Sequence, residues 1–345
     1  MIRLIATDLD GTLLEKGGAL PEGFYDVAED LKKLGILLVA ASGRQYDNLR
    51  RKFQPIAREM GFVCENGGLN AVGREIVSIH PMDRAAALGI TQTLQYPECF
   101  VHLVLTHSNQ LEEYALEQAL KSGCAGVILF PVDCEVYSDT ILRMHLNKFP
   151  LVLIDRCFPG IQSSCVCCDN EKGGWLAVEH LLSLGHRNIC FIADSSFREQ
   201  VTSVRYGAYV AAMTAQQLPL HAVERFNPQT FSQEEMERLL SAIRAREITA
   251  AVVSNSHAAE WLLELCQTGG IRIPEELSVV CFDQPRIFQG MEPLFTYVEQ
   301  NSFEMGRRAA ELLRKAFETG QEHACQKLVL EPKLMIHHST QTFVK

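Results

Sequence analysis

Short, continuous apolar runs recur along the chain, and most are followed by a longer stretch whose apolar residues fall at helical spacing. Leu4–Thr7, Ile36–Ala41, Phe62–Cys64, Phe100–Leu105, Gly126–Phe130, Leu151–Ile154, Cys165–Cys168, Ile189–Ile192, Ala250–Val253 and Ser278–Phe282 read as strands. Runs that are continuous rather than alternating belong to strands buried on both faces, in parallel sheets covered by helices. The fold class expected is therefore α/β, with Rossmann-like parallel sheets whose ligands bind at the carboxyl ends of strands. At 345 residues the chain has room for two domains, or for one divided into lobes. The motif pattern changes near residues 96–106, around Tyr96-Pro97-Glu98-Cys99, with no flexible linker.

Composition narrows the function. A formal net charge of −10 argues against general affinity for nucleic acid or membrane surfaces, which attract basic proteins. No apolar run approaches the ~18 residues of a membrane span. The start, Met1-Ile2-Arg3-Leu4-Ile5-Ala6-Thr7-Asp8, turns acidic at once and does not resemble a secretion signal. The twelve cysteines lie mostly in or beside strand-like runs (Cys64, Cys124, Cys165, Cys167, Cys190 and Cys281 among them), where a thiol acts as a small apolar residue. A reducing, cytoplasmic setting is expected. Cys165-Val166-Cys167-Cys168 has no second Cys or His pair at zinc spacing, so it reads as strand rather than metal site.

The first hundred residues carry one candidate chemistry. Asp8-Leu9-Asp10-Gly11-Thr12 follows an apolar strand, so two carboxylates project near one crevice. Such a pair suits a Mg²⁺ ion and attack on phosphorus. The second strand ends in Ala41-Ser42-Gly43-Arg44, where a hydroxyl and free amides can hold a phosphate oxygen. Together with Glu65-Asn66-Gly67-Gly68, this segment resembles the Cof-type sugar-phosphate phosphatases of the haloacid dehalogenase superfamily, over about residues 1–100. The resemblance implies Asp8 as nucleophile, Asp10 as general acid/base, Ser42 as the phosphate-binding hydroxyl, and Mg²⁺ on Asp8 and Asp10. It also implies a later lysine and a Gly-Asp-type acidic motif. No Gly-Asp dipeptide occurs anywhere in the sequence, and Lys172, Lys315, Lys327 and Lys333 lie in segments of another character. A Mg²⁺ held by one or two carboxylates would be weakly bound, and efficient phosphoryl transfer needs more positive charge than this.

The remaining two-thirds read differently. Asn170-Glu171-Lys172-Gly173-Gly174-Trp175 opens a helix that ends at Leu184-Gly185-His186-Arg187, where Gly185 is placed to break it and His186 to satisfy its last carbonyls. Arg205-Tyr206-Gly207, Val253-Ser254-Asn255, Ile273-Pro274-Glu275-Glu276-Leu277 through Asp283, and the helix from Met305-Gly306-Arg307 follow. In this order and spacing they resemble the effector-binding domain of LacI/GalR repressors, a two-lobed periplasmic-binding-protein-like fold, over about residues 100–340. Carboxylates, amides and an aromatic face are what a sugar site uses. The candidates are Asp155, Arg205, Asn255 and Asp283, with Phe231 as an aromatic wall or as ordinary core. Residues 101–345 are expected to lack the first strand and helix of that domain, as well as any helix-turn-helix, with the strands of the first segment available to fill the vacancy.

The leading expectation is a cytoplasmic sensor for a sugar or sugar phosphate, with a homodimer as one expected assembly and no DNA binding of its own. The alternative is a Mg²⁺-dependent sugar-phosphate phosphatase regulated by a ligand-binding domain.

Overall fold

The computed structural model describes residues 4–9, 13–14, 19–42, 49, 51–57, 60–64, 69–71, 74–80, 84–94, 99–106, 108–133, 138–285, 294–319 and 325–344. Its strands form three sheets. The chain divides into two compact units, residues 1–166 with 302–327, and residues 167–301 with 328–345.

Unit 1 contains a four-stranded sheet in the order β1-β2-β3-β4, built from β1 (Leu4–Asp8), β2 (Leu37–Ala41), β3 (Gly61–Cys64) and β4 (Leu69–Ala71). The first three strands are parallel, and β4 turns back antiparallel on β3. Helix α1 (Phe24–Lys33) packs Phe24 and Ala28 into the core with Leu38, Leu49, Phe53 and Met60.

A second sheet of unit 1 has parallel strands in the order β9-β8-β7-β5-β6: β5 (Arg74–His80), β6 (Cys99–Leu105), β7 (Gly126–Leu129), β8 (Leu151–Ile154) and β9 (Ser164–Cys168). Strand β15 (Lys327–Leu330) borders β9. Its helices include α2 (Arg84–Thr93), α3 (Asn109–Ser122), α4 (Asp139–Leu146) and α9 (Ser302–Thr319). Strand β5, which lies between β6 and β7, comes from before residue 100. Helices α2 and α9 meet backbone to backbone. A Cβ on Gly89 would collide with the Phe303 carbonyl oxygen, and one on Gly306 with that of Ala86.

Unit 2 is a six-stranded sheet ordered β11-β10-β12-β13-β14-β16. Strands β10 (Ile189–Ile192), β11 (His221–Val223), β12 (Ala250–Val253), β13 (Ser278–Phe282) and β14 (Thr296–Glu299) are parallel, and β16 (Lys333–Met335) is antiparallel. Helices α5 (Asn170–Ser183) and α6 (Gln200–Ala215) pack with one core cluster, and α7 (Gln233–Arg244) and α8 (Ser256–Thr268) with another. The predicted strands Ile189–Ile192, Ala250–Val253 and Ser278–Phe282 are thus buried on both faces, whereas Ile5 and Leu103 leave the predicted strands Leu4–Thr7 and Phe100–Leu105 partly exposed.

Two expectations need correction. Cys165 is not a free thiol: it is disulfide-bonded to Cys157. Asp155 adopts φ 68 and donates its N–H to Val166 at 2.8 Å, which turns the chain back beside β9 and brings Cys157 to Cys165. The His186 ring does not serve the end of α5. It is buried and bonds Thr249 Oγ1 at 3.0 Å and the Gln341 carbonyl at 3.1 Å. Arg187 takes that place, donating to the Leu182 carbonyl at 3.0 Å, while Gly185 breaks the helix at φ 90.

Candidate functional site

In unit 2, four in-register parallel strands end in polar residues. Asp194 follows β10, Ser254 and Asn255 follow β12, Asp283 follows β13, and Gln300 follows β14. This is the rim where α/β sheets bind ligands.

Arg205, on α6, is only 4% exposed. A guanidinium stays charged at any physiological pH, so burying it requires partners. Its Nε donates to Asn170 Oδ1 at 2.8 Å, Nη1 to the Ser254 carbonyl at 2.5 Å and Nη2 to Gln300 Oε1 at 2.7 Å. Its central carbon lies 3.9 Å from the centroid of the Phe282 ring, a cation–π contact. Gly174 makes this possible: a Cβ there would press on Ala208 and the Arg205 backbone, so its absence lets α5 bring Asn170 against α6.

Gln300 then donates from Nε2 to Asp283 Oδ2 at 2.5 Å. Asp283 itself sits at φ 59, left-handed and uncommon for a residue with a side chain, with its N–H bonded to Val298 at 3.0 Å. Beside it, Asn255 caps α8 by accepting from Ala258 N at 2.9 Å, and its amide donates to Asp194 Oδ1 at 2.7 Å. His257 Nδ1 stands 3.6 Å from the other Asp194 oxygen. The Ser254 hydroxyl is buried with no hydrogen-bond partner among the described residues, which is costly unless a polar group meets it.

Of the predicted ligand contacts, Arg205 and Asp283 are therefore joined through Gln300, and Asn255 follows the serine whose carbonyl Arg205 holds. Phe231 is half-buried and packs edge-on against Phe226, 5.5 Å between centroids, in the α7–α8 core. Asp155 belongs to unit 1, after β8, with Oδ2 4.0 Å from Arg156 Nε. Like Asp283 it is an aspartate in the left-handed region at a strand end. Sequence reasoning missed Asp194 and Gln300: a polar residue just beyond the predicted strand Ile189–Ile192 was a usable signal for Asp194, whereas the strand before Gln300 was not predicted.

In the four-stranded sheet, Asp8 lies opposite Ala41 in the β1–β2 register, and buried Ser42 follows directly. Asp10, Gly43, Arg44 and Glu65–Gly68 lie outside the described residues. A Mg²⁺ ion takes six oxygens in near-octahedral geometry. Among the described residues, the strands of this sheet contain no acidic residue besides Asp8, so the described part fits only a fragment of such a site.

The sequence profile described as periplasmic binding protein-like domain matches residues 178–340, and that described as haloacid dehalogenase-like hydrolase matches residues 5–121. The chain is 28% identical over 210 residues to the HTH-type transcriptional regulator GalR of Salmonella typhimurium, a match covering 60% of each protein. It therefore spans about three-fifths of that regulator's length. The transcription regulator CcpA of Lactococcus lactis has a similar structure, with a TM-score of 0.66 at 20% identity, covering 78% of this chain and all of that one. So does a LacI family regulator of Enterococcus faecium with bound ribose, with a TM-score of 0.64 at 21% identity and the same coverage. The expectation that the chain binds no DNA on its own finds no support in these relatives, which are named as transcription regulators. Residues 178–340 therefore carry a periplasmic-binding-protein-like domain, similar in sequence to LacI/GalR-type regulators, and residues 5–121 a haloacid-dehalogenase-like segment.

Proposed function

We propose that the chain is a sensor for a small polyhydroxylated ligand, a sugar or sugar phosphate, and acts as the effector-responsive part of a cytoplasmic transcription regulator. The observation that carries this reading is the convergence of Asp194, Asn255, Asp283 and Gln300 on adjacent strand ends around the buried Arg205. Carboxylates and amides held in fixed positions complement hydroxyl groups, and the buried Ser254 hydroxyl adds one more polar partner. The bound ribose of the Enterococcus faecium regulator supports the ligand class. The names of the relatives support the regulatory setting.

In this reading β5 serves as a strand of the sensor sheet, and the first segment acts as scaffold rather than as an enzyme. The second reading, a Mg²⁺-dependent phosphatase, draws on the haloacid dehalogenase-like match and on the placement of Asp8 beside Ser42. A thermal-shift screen of the full chain against pentoses, hexoses and their phosphates, with and without Mg²⁺, separates the two. The sensor reading expects a concentration-dependent rise in melting temperature with at least one of these compounds in the absence of Mg²⁺. A rise seen only with phosphates plus Mg²⁺ and abolished by Asp8→Asn would replace it with the enzyme reading.

A further inference from the structure

Val132 lies three residues beyond the end of β7, and both of its backbone polar groups are held by side chains from distant parts of unit 1. Glu112, buried in the first turn of α3, accepts the Val132 N–H on Oε2 at 2.7 Å. Arg156, after β8, donates from Nη1 to the Val132 carbonyl at 2.6 Å. The same Arg156 lies beside Asp155. Strands β7 and β8 are parallel neighbours, so Val132-Asp133 and Asp155-Arg156 stand side by side at carboxyl ends of this sheet. The chain thus uses a buried carboxylate and a guanidinium to fix one short stretch at the rim where α/β sheets bind ligands.

We propose that Glu112 and Arg156 are positioning residues that fix Val132-Asp133 against Asp155 at a ligand-binding rim of unit 1, and that proton uptake by Glu112 loosens this hold. The ligand half of the statement rests on the sensor reading above; the hold on Val132 does not.

The surroundings of Glu112 support the second half. Burial, the largest influence, pushes its carboxyl up to about 7; the Val132 N–H pulls it down, Asp133 and Glu113 push it up, and Arg156 pulls it down. From α4, Thr140 donates to Glu113 at 2.6 Å and receives Arg143 at 2.7 Å. A hydrogen bond to a carboxylate is roughly twice as strong as one to a neutral acceptor. Gaining a proton therefore weakens the grip on Val132 and removes the charge facing Arg156.

The test is amide exchange of Val132, measured by NMR on the ligand-free full chain at about pH 6 and about pH 8 and expressed as a protection factor corrected for intrinsic exchange. In the parent, a local opening that breaks this bond but leaves Glu112 buried is expected to make protection about tenfold higher at the upper pH, while amides of β10 stay level. Glu112→Gln is expected to show low protection at both. Equal protection of Val132 at the two pH values in the parent overturns the proposal, as does a Glu112→Gln chain that follows the parent. If Glu112→Gln does not fold, the parent comparison decides alone. In parallel, calorimetry with D-ribose and D-glucose is expected to show affinity rising several-fold from the lower to the upper pH in the parent only. Unchanged affinity overturns the ligand half. If neither sugar binds at either pH, the sensor reading fails for them and the ligand half falls with it, while the hold on Val132 is judged by exchange.

Discussion

Gln300 links Arg205 to Asp283: its amide oxygen accepts from the guanidinium at 2.7 Å while its amide nitrogen donates to the carboxylate at 2.5 Å. Only one orientation of the amide serves both, since the reverse would set NH₂ against the cation and oxygen against the anion. A buried positive charge and a strand-end carboxylate thereby become one unit.

Breaking that link leaves both charges short of a partner. Gln300→Leu is expected to destabilise unit 2 by about 1.5–3 kcal/mol, and Arg205→Ala by at least about 3 kcal/mol, because it also strands Asn170 and the Ser254 carbonyl. Urea unfolding followed by circular dichroism checks this. The double variant should cost less than the sum of the two, since the residues are in contact.

Glu112 should leave a pH signature on stability. Its folded-state value of about 7 lies above the ordinary 4.5. A raised carboxyl favours the fold when protonated, so its contribution is complete below about pH 4.5 and is lost as pH rises through about 7. The span is on the order of 3 kcal/mol. Other groups titrate as well, so the useful quantity is the parent's unfolding free energy minus that of Glu112→Gln. This difference should fall between about pH 5 and pH 8.

Gly306→Ala tests the close meeting of α2 and α9. A methyl group there runs into the Ala86 carbonyl, which is backbone and cannot swing away. The helices must separate, at an expected cost of about 1–3 kcal/mol. Gly207→Ala is the control: its added Cβ meets nothing within 4 Å, and no loss is expected.

The sequence made the parallel strands legible because buried central strands need unbroken apolar runs. It also placed Asn255 and Asp283 at strand ends. It did not reveal β5, whose Arg74-Glu75-Ile76-Val77-Ser78-Ile79-His80 has polar residues at four of seven positions and no unbroken apolar run longer than two, although it runs between β6 and β7. Nor did it reveal β14, four residues long with alternating burial, and so it missed Gln300 just beyond it. Arg205 was singled out as a ligand contact. Its ties to partners 35, 49 and 95 residues away are non-local, and no local pattern encodes them.

The haloacid-dehalogenase-like segment is expected to show turnover of p-nitrophenyl phosphate with Mg²⁺ no faster than that of Asp8→Asn. The sequence has no Gly-Asp motif to complete the cation site. Robust activity lost in Asp8→Asn would establish a working active site.

The most direct measurement for the sensor reading is calorimetry of the full chain and of Asp283→Ala with the sugar that gives the largest thermal shift. Asp283 stands at a strand end in a left-handed conformation, held in place by Gln300. Loss of a charge-assisted hydrogen bond to a ligand hydroxyl should weaken binding roughly ten- to hundred-fold, with the fold retained. Parent-like affinity in Asp283→Ala would contradict the assigned site.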